Sequence, residues 1–162
     1  MALLFCLFVS CMGYEQLEEI DQEESVFIEC RGVKFCERDN RSISCRTFPF
    51  EPYLDTKGNF IGIVYNRVMA DKCYLVDRHS AVTKGFIKTF MRFFEKFFVM
   101  LPSERELYLE QSRIYRNQMS RKKLPLVVLT EKGPWEAAYR GGKLIAPWTK
   151  PDPPENSYCP DV

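Results

Sequence analysis

GFIKTFMRFFEKFFVML, residues 85–101, holds six of the thirteen phenylalanines of this 162-residue chain, and its reading decides the fold. Taken as a helix, Phe86, Ile87, Phe90, Phe94, Phe97, Phe98 and Leu101 fall on one stripe at spacings of three and four. Taken as a strand, it is a short apolar-aromatic run of β-formers, which periodicity alone does not separate from a helix. A helix points to a small helical cytokine, a strand to an all-β module.

Outward from this run, the segments are short and separated by turn residues. Val26–Cys30 has strand composition, and Val33–Glu37 with Ser42–Arg46 form a hairpin pattern around Asp39-Asn40. Phe48–Pro52 reads as extended, because a proline keeps its predecessor out of the helical region. Lys57-Gly58-Asn59 reads as a turn, and Phe60–Val68 and Cys73–Val76 as strands. Pro102 closes the phenylalanine-rich run, and Glu104–Arg116 has helical propensity. Leu124–Leu129 is a buried-strand candidate, followed by turns at Glu131–Pro134 and Arg140–Lys143 and by the pair Leu144-Ile145. Many short strands with turns about every ten residues point to a sandwich or barrel.

The first residues are apolar from Ala2 to Met12, too few for the roughly 20 needed to cross a bilayer. They read as a secretory signal over residues 1–13, with a buried N-terminal strand as the alternative. The expected product is secreted and extracellular. Secretion permits disulfides among Cys30, Cys36, Cys45, Cys73 and Cys159, and Cys36 with Cys45 would close the short hairpin. Asn40-Arg41-Ser42 is an N-glycosylation acceptor. Residues 14–25 carry six acids and no base, an acidic N-terminal arm; the remainder then has 23 basic residues against 16 acidic. A basic remainder suits a polyanionic partner, and equally a merely solvated surface.

Catalytic chemistry is hard to assemble from these residues. The only histidine is His79, in a turn-like Asp77-Arg78-His79-Ser80, and no CxxC or phosphate-cradling glycine loop is present. A binding protein is expected rather than an enzyme, with no metal or cofactor.

Read in order, several segments resemble the fibroblast growth factors, secreted β-trefoil ligands. Cys30-Arg31-Gly32 is similar to that family's opening Tyr-Cys-x-x-Gly. Gly62-Ile63-Val64 followed by Cys73-Tyr74-Leu75 is similar to Gly-Val-x-Ser…Arg-Tyr-Leu, and Phe93-Phe94-Glu95 to Cys-x-Phe-x-Glu. Tyr108…Ser112…Tyr115 with Leu126–Gly133 resembles the Tyr-Val-Ala-Leu-x-x-x-Gly block, and Gly142–Pro147 resembles Gly-x-Lys-x-x-x-Phe-Leu-Pro. The chain departs from the family at Glu29, at Met91 and between Gly133 and Lys143. The resemblance covers residues 26–150. It implies an all-β fold, a single-domain β-trefoil with an irregular N-terminal arm and a proline-rich tail at 151–162.

The same resemblance implies a ligand that engages a fibroblast growth factor receptor tyrosine kinase through its ectodomain, with heparan sulfate as co-ligand. Glu95, Tyr108, Pro147 and Trp148 then become receptor contacts, Tyr108 having a core tyrosine as its alternative. Lys132, Arg140 and Lys143 become heparan-sulfate contacts, helped by Arg121, Lys122 and Lys123. Neither nucleic-acid binding nor membrane insertion is expected. The alternatives are a secreted β-trefoil inhibitor or lectin, and a small helical cytokine or decoy if residues 86–116 are helical. On the trefoil reading Met91–Met100 is a strand with Phe93, Phe97 and Val99 facing the core, and Phe86–Phe90 closes the preceding turn.

Overall fold

The computed structural model of the chain describes residues 46–66, 75–76 and 78–152. The chain divides into two compact units, Met1–Phe48 and Pro49–Val162. Among its described residues the second unit holds five strands and two long helices: β1 (Phe50–Leu54), β2 (Phe60–Tyr65), α1 (Lys84–Met100), α2 (Pro102–Lys122), β3 (Val127–Thr130), β4 (Gly133–Ala137) and β5 (Leu144–Pro147). The strands form one antiparallel sheet in the order β1-β2-β3-β4-β5, with the helical pair inserted between β2 and β3. This is an α+β arrangement, and it overturns the all-β trefoil.

The β1–β2 hairpin is set by its turn. Asp55 Oδ1 accepts the main-chain N–H groups of Lys57 at 2.8 Å and Asn59 at 2.9 Å, and Oδ2 accepts Asn59 Nδ2 at 2.9 Å. Gly58 takes φ +79°, a backbone conformation costly to a residue with a Cβ. Pairing runs from Phe50 opposite Tyr65 to Tyr53 opposite Gly62, then shifts so that Leu54 faces Phe60. Ile61 is the extra residue, a β-bulge. The bulge puts Phe60 on the same side as Ile63 and Tyr65, while Ile61 joins Val64 on the other.

Residues 84–100 are helix, so the strand expected over Met91–Met100 is corrected, as is the turn expected over Phe86–Phe90. Thr83 caps the N-terminus by accepting the Phe86 N–H at 3.2 Å. Leu101 ends the helix in a non-helical conformation because Pro102 follows it. Pro102 then starts α2 at the position where its missing N–H costs nothing. At the far end of α2, Arg121 and Lys122 lie against the negative end of the helix dipole, and Lys123 closes it in the left-handed region at φ 53°.

The buried residues of α1 are Ile87, Phe90, Phe94 and Phe98, spaced three, four and four. The core expected at Phe93 and Val99 is corrected, since Phe93 is 41% and Val99 80% exposed, whereas Phe97 is half-buried and packs against the core. The buried stripe packs on Phe50, Leu54, Ile63, Tyr65 and Leu129 on one face of the sheet. Its rings interlock, with Phe90 stacked on Phe94 at 4.6 Å and Phe60 edge-on to Phe98 at 5.6 Å. The opposite face carries Tyr53, Val64, Val128 and Leu126, covered by Tyr115 and Met119 of α2. Both faces are therefore covered at the centre of the sheet, which explains why every residue of β3 is buried.

The helix α2 reaches both faces by passing the β1 edge. Tyr108 and Leu109 belong to the first core, and Tyr115 and Met119 to the second. Between them Ser112 Oγ accepts the Leu54 N–H at 3.0 Å, and Arg116 Nη1 donates to the Leu54 carbonyl at 2.7 Å. Arg105 fixes the start of the crossing by donating to the Gly58 carbonyl. Side chains of α2 thus satisfy main-chain groups where the sheet would otherwise present an open edge.

The other sequence-based elements divide between agreement and silence. The helix over Glu104–Arg116 lies within α2, and the strands at Phe60 and before Leu129 are β2 and β3; of the extended segment Phe48–Pro52, Phe50–Pro52 lie in β1 and Phe48-Pro49 in a turn. Leu75-Val76, read as the end of a strand, lies in a turn. Residues 1–45, including Asn40, Cys36, Cys45 and the acidic arm, lie outside the described residues, as do Cys73 and Cys159.

Candidate functional site

A cleft of about 410 Å³ opens at one end of the sheet, lined by His79, Ser80, Pro134, Trp148, Thr149, Lys150, Pro151 and Asp152. Three segments meet here: the short 3-10 turn His79–Ala81, the start of β4, and the chain leaving β5. Trp148 is seated by its main-chain N–H, which donates to the Pro134 carbonyl at 3.0 Å. Its ring meets His79 edge-on, centroids 6.0 Å apart at 88°, and Lys150 Nζ lies 5.2 Å from the indole centroid. His79 Nδ1 is 3.2 Å from the Tyr65 hydroxyl, which ties the turn to the end of β2.

Asp152 joins the two sides. Its Oδ1 accepts the His79 N–H at 3.0 Å, and its Oδ2 accepts the Ser80 N–H at 2.9 Å together with the Ser80 hydroxyl. Burial opposes ionisation of this carboxyl, but the three hydrogen bonds and the nearby His79 outweigh it and hold the group below the ordinary carboxylate range. The indole Nε1 of Trp148 is buried and has no hydrogen-bond partner. A buried N–H without an acceptor costs about 1–3 kcal/mol.

Serine, histidine and aspartate meet in this cleft, yet not as a hydrolytic triad. Such a triad needs the serine hydroxyl on the imidazole and the carboxylate on the ring's other nitrogen. Here the Ser80 hydroxyl donates to Asp152, the carboxylate takes the main chain of His79, and the ring Nδ1 faces Tyr65. No cluster of metal-ligating side chains occurs among the described residues. The arrangement holds an aromatic wall and a cation over a shallow floor.

The residues expected to form a receptor surface are not gathered in one place. Glu95 is exposed on α1. Tyr108 is a packing residue on α2, its ring 5.6 Å from Phe94 and 5.7 Å from Phe98. Burial, then the charges of Glu51 and Glu104, push its hydroxyl well above the ordinary tyrosine range. Pro147 is exposed on β5, and Trp148 lies in the cleft.

The basic residues also divide. Lys132 precedes β4, whereas Arg140 and Lys143 follow its other end, roughly 15 Å away along the strand. Arg121, Lys122 and Lys123 end α2 on the Arg140 side, where the Tyr139 hydroxyl donates to the Leu124 carbonyl at 2.6 Å. Lys143 also helps depress the Asp55 carboxyl, where burial is outweighed chiefly by the hydrogen bonds from Asn59 and Lys57.

Sequence reasoning reached His79 and Trp148 but not their partners. Tyr65, Ser80, Lys150 and Asp152 carry no spacing signal, because the contacts that unite them span up to 73 residues. Comparison with known proteins finds no matching family model, no matching curated protein and no matching solved structure.

Proposed function

We propose that this chain is a non-enzymatic binding protein that captures an extended segment of a protein partner along β5, with the Trp148 cleft receiving one apolar or proline side chain. One observation carries the reading: the Trp148 ring lines a cleft that continues the outer strand β5 of the described sheet. Among the described residues β5 is an outer strand, and Ile145 on it is 60% exposed. A peptide that adds to such an edge gains main-chain hydrogen bonds, and its side chains select pockets beside the strand. Pro147 removes one donor from the edge, so the paired stretch is short and the cleft supplies the selectivity.

The test is selection from a displayed library of short linear peptides by the full chain, read through Trp148 fluorescence in a Trp135→Phe background. Enriched peptides that shift the indole signal and lose binding in Trp148→Ala support the reading. Enrichment that is indifferent to Trp148→Ala, or no enrichment at all, overturns it. Fibroblast growth factor receptor ectodomains belong in the same assay. Binding to them that is lost in Glu95→Ala but kept in Trp148→Ala favours the growth-factor reading instead.

A further inference from the structure

The outward side of α1 has a pattern that the core does not require. Lys84, Lys88, Arg92 and Lys96 recur every fourth residue and are all exposed, with Glu95 the only acid on the helix. They span roughly 18 Å of helix and drift gradually around it. At the end of this stripe Val99 and Met100 are 80% and 76% exposed, at the α1–α2 corner closed by Leu101 and Pro102. Phe93 stands exposed beside Arg92 and Lys96, stacked on the half-buried Phe97 at 5.6 Å. The buried stripe Ile87, Phe90, Phe94 and Phe98 already meets the packing needs of the helix. The exposed valine and methionine form a small apolar corner that the core does not use.

Cations beside exposed apolar side chains on one helix face match a charged interface with an apolar layer beneath it. We propose that α1 adsorbs to an anionic phospholipid surface, with Val99 and Met100 at the acyl-chain boundary and Lys84, Lys88, Arg92 and Lys96 among the headgroups. Charge complementarity selects this occupant: a soluble polyanion would use the cations and leave the apolar corner in water. The contact is peripheral, since no described helix is long and apolar enough to cross a membrane. Lysine and arginine stems can lie along the apolar layer while their charged ends stay at headgroup level.

Co-sedimentation of the full chain with phosphatidylcholine vesicles, with and without phosphatidylserine, tests this. Binding is expected only when phosphatidylserine is present, falling with added salt and by about fivefold for each cation removed in Lys88→Gln, Arg92→Gln and Lys96→Gln. Val99→Asp with Met100→Asp should abolish it; both side chains are exposed, and circular dichroism checks that the fold is kept. Equal binding to neutral vesicles that ignores these variants would report on the apolar run Ala2–Met12 and overturn the proposal. So would capture by soluble heparin with no vesicle binding, or self-association abolished by the Val99 and Met100 changes.

Discussion

The hydroxyl of Ser112 accepts the main-chain N–H of Leu54 at 3.0 Å, and one turn along α2 Arg116 donates to the carbonyl of that same residue. A single strand residue thus has both main-chain groups satisfied by side chains of a helix. Ser112→Ala should cost about 1–3 kcal/mol, because the buried N–H loses its acceptor. Arg116→Ala should cost more, since the guanidinium also stacks over the Tyr53 ring at 5.6 Å. Urea denaturation measures both losses, and faster hydrogen exchange at the Leu54 amide should accompany the first.

Two neighbouring phenylalanines separate a helix from a strand at the bench. Phe94 is buried and touches Phe60, Phe90, Phe98 and Tyr108. Phe94→Ala should destabilise by about 3–5 kcal/mol through the cavity it leaves. Phe93→Ala should cost under about 1 kcal/mol, because that ring is largely outside the core. The reverse ranking in thermal denaturation would restore the strand.

Glycine substitutions should act in opposite directions at two sites. A Cβ at Gly62 would lie 2.5 Å from the Leu129 carbonyl oxygen and 2.6 Å from a Val128 methyl. Gly62→Ala should therefore force β2 and β3 apart and cost about 1–3 kcal/mol or more. At Gly85 nothing lies within 4 Å. Gly85→Ala, in the first turn of α1, should stabilise by roughly 0.5–1 kcal/mol, read as a raised melting temperature.

Acid should release the segment after β5. The Asp152 carboxyl is held below its ordinary range in the folded chain. Its contribution is therefore fully present above the unfolded-state value and is lost as pH falls through the folded one. Glu51 works the other way: burial, only partly offset by the hydrogen bond from Asn66, raises its carboxyl, so its contribution is lost as pH rises through the folded value. Asp152→Asn should blunt the acid-side change in Trp148 fluorescence, measured with Trp135→Phe. Glu51→Gln should leave that change intact and improve stability near neutral pH.

Local signals for the fold were strong where geometry is local. The three-four-four spacing of Ile87, Phe90, Phe94 and Phe98 marks the face that α1 buries. The turn glycines Gly58, Gly133, Gly141 and Gly142 all take positive φ, as the breaks between strands suggested. Order argues the other way: strand-like neighbours on both sides of α1 make a β reading consistent, although the stripe itself favours a helix. The bulge at Ile61 and the course of α2 past β1 depend on partners distant in sequence, and no periodicity carries them. The cleft was least legible, since Asp152 lies in a proline-rich stretch that reads as featureless until Ser80 and His79 are beside it.

The crossing of α2 over β1 has a consequence for self-assembly. Stacking many copies strand to strand requires two free sides on every sheet, one to receive and one to offer. With Ser112 and Arg116 engaging Leu54, one end of the β1 side is already taken, whereas β5 is the outer strand at the other side of the described sheet. Two copies that meet through β5 use up both β5 edges at once and close a pair about a two-fold axis. Growth by that route stops at two, and the α2 side chains that occupy Leu54 oppose further strand addition at that end of β1.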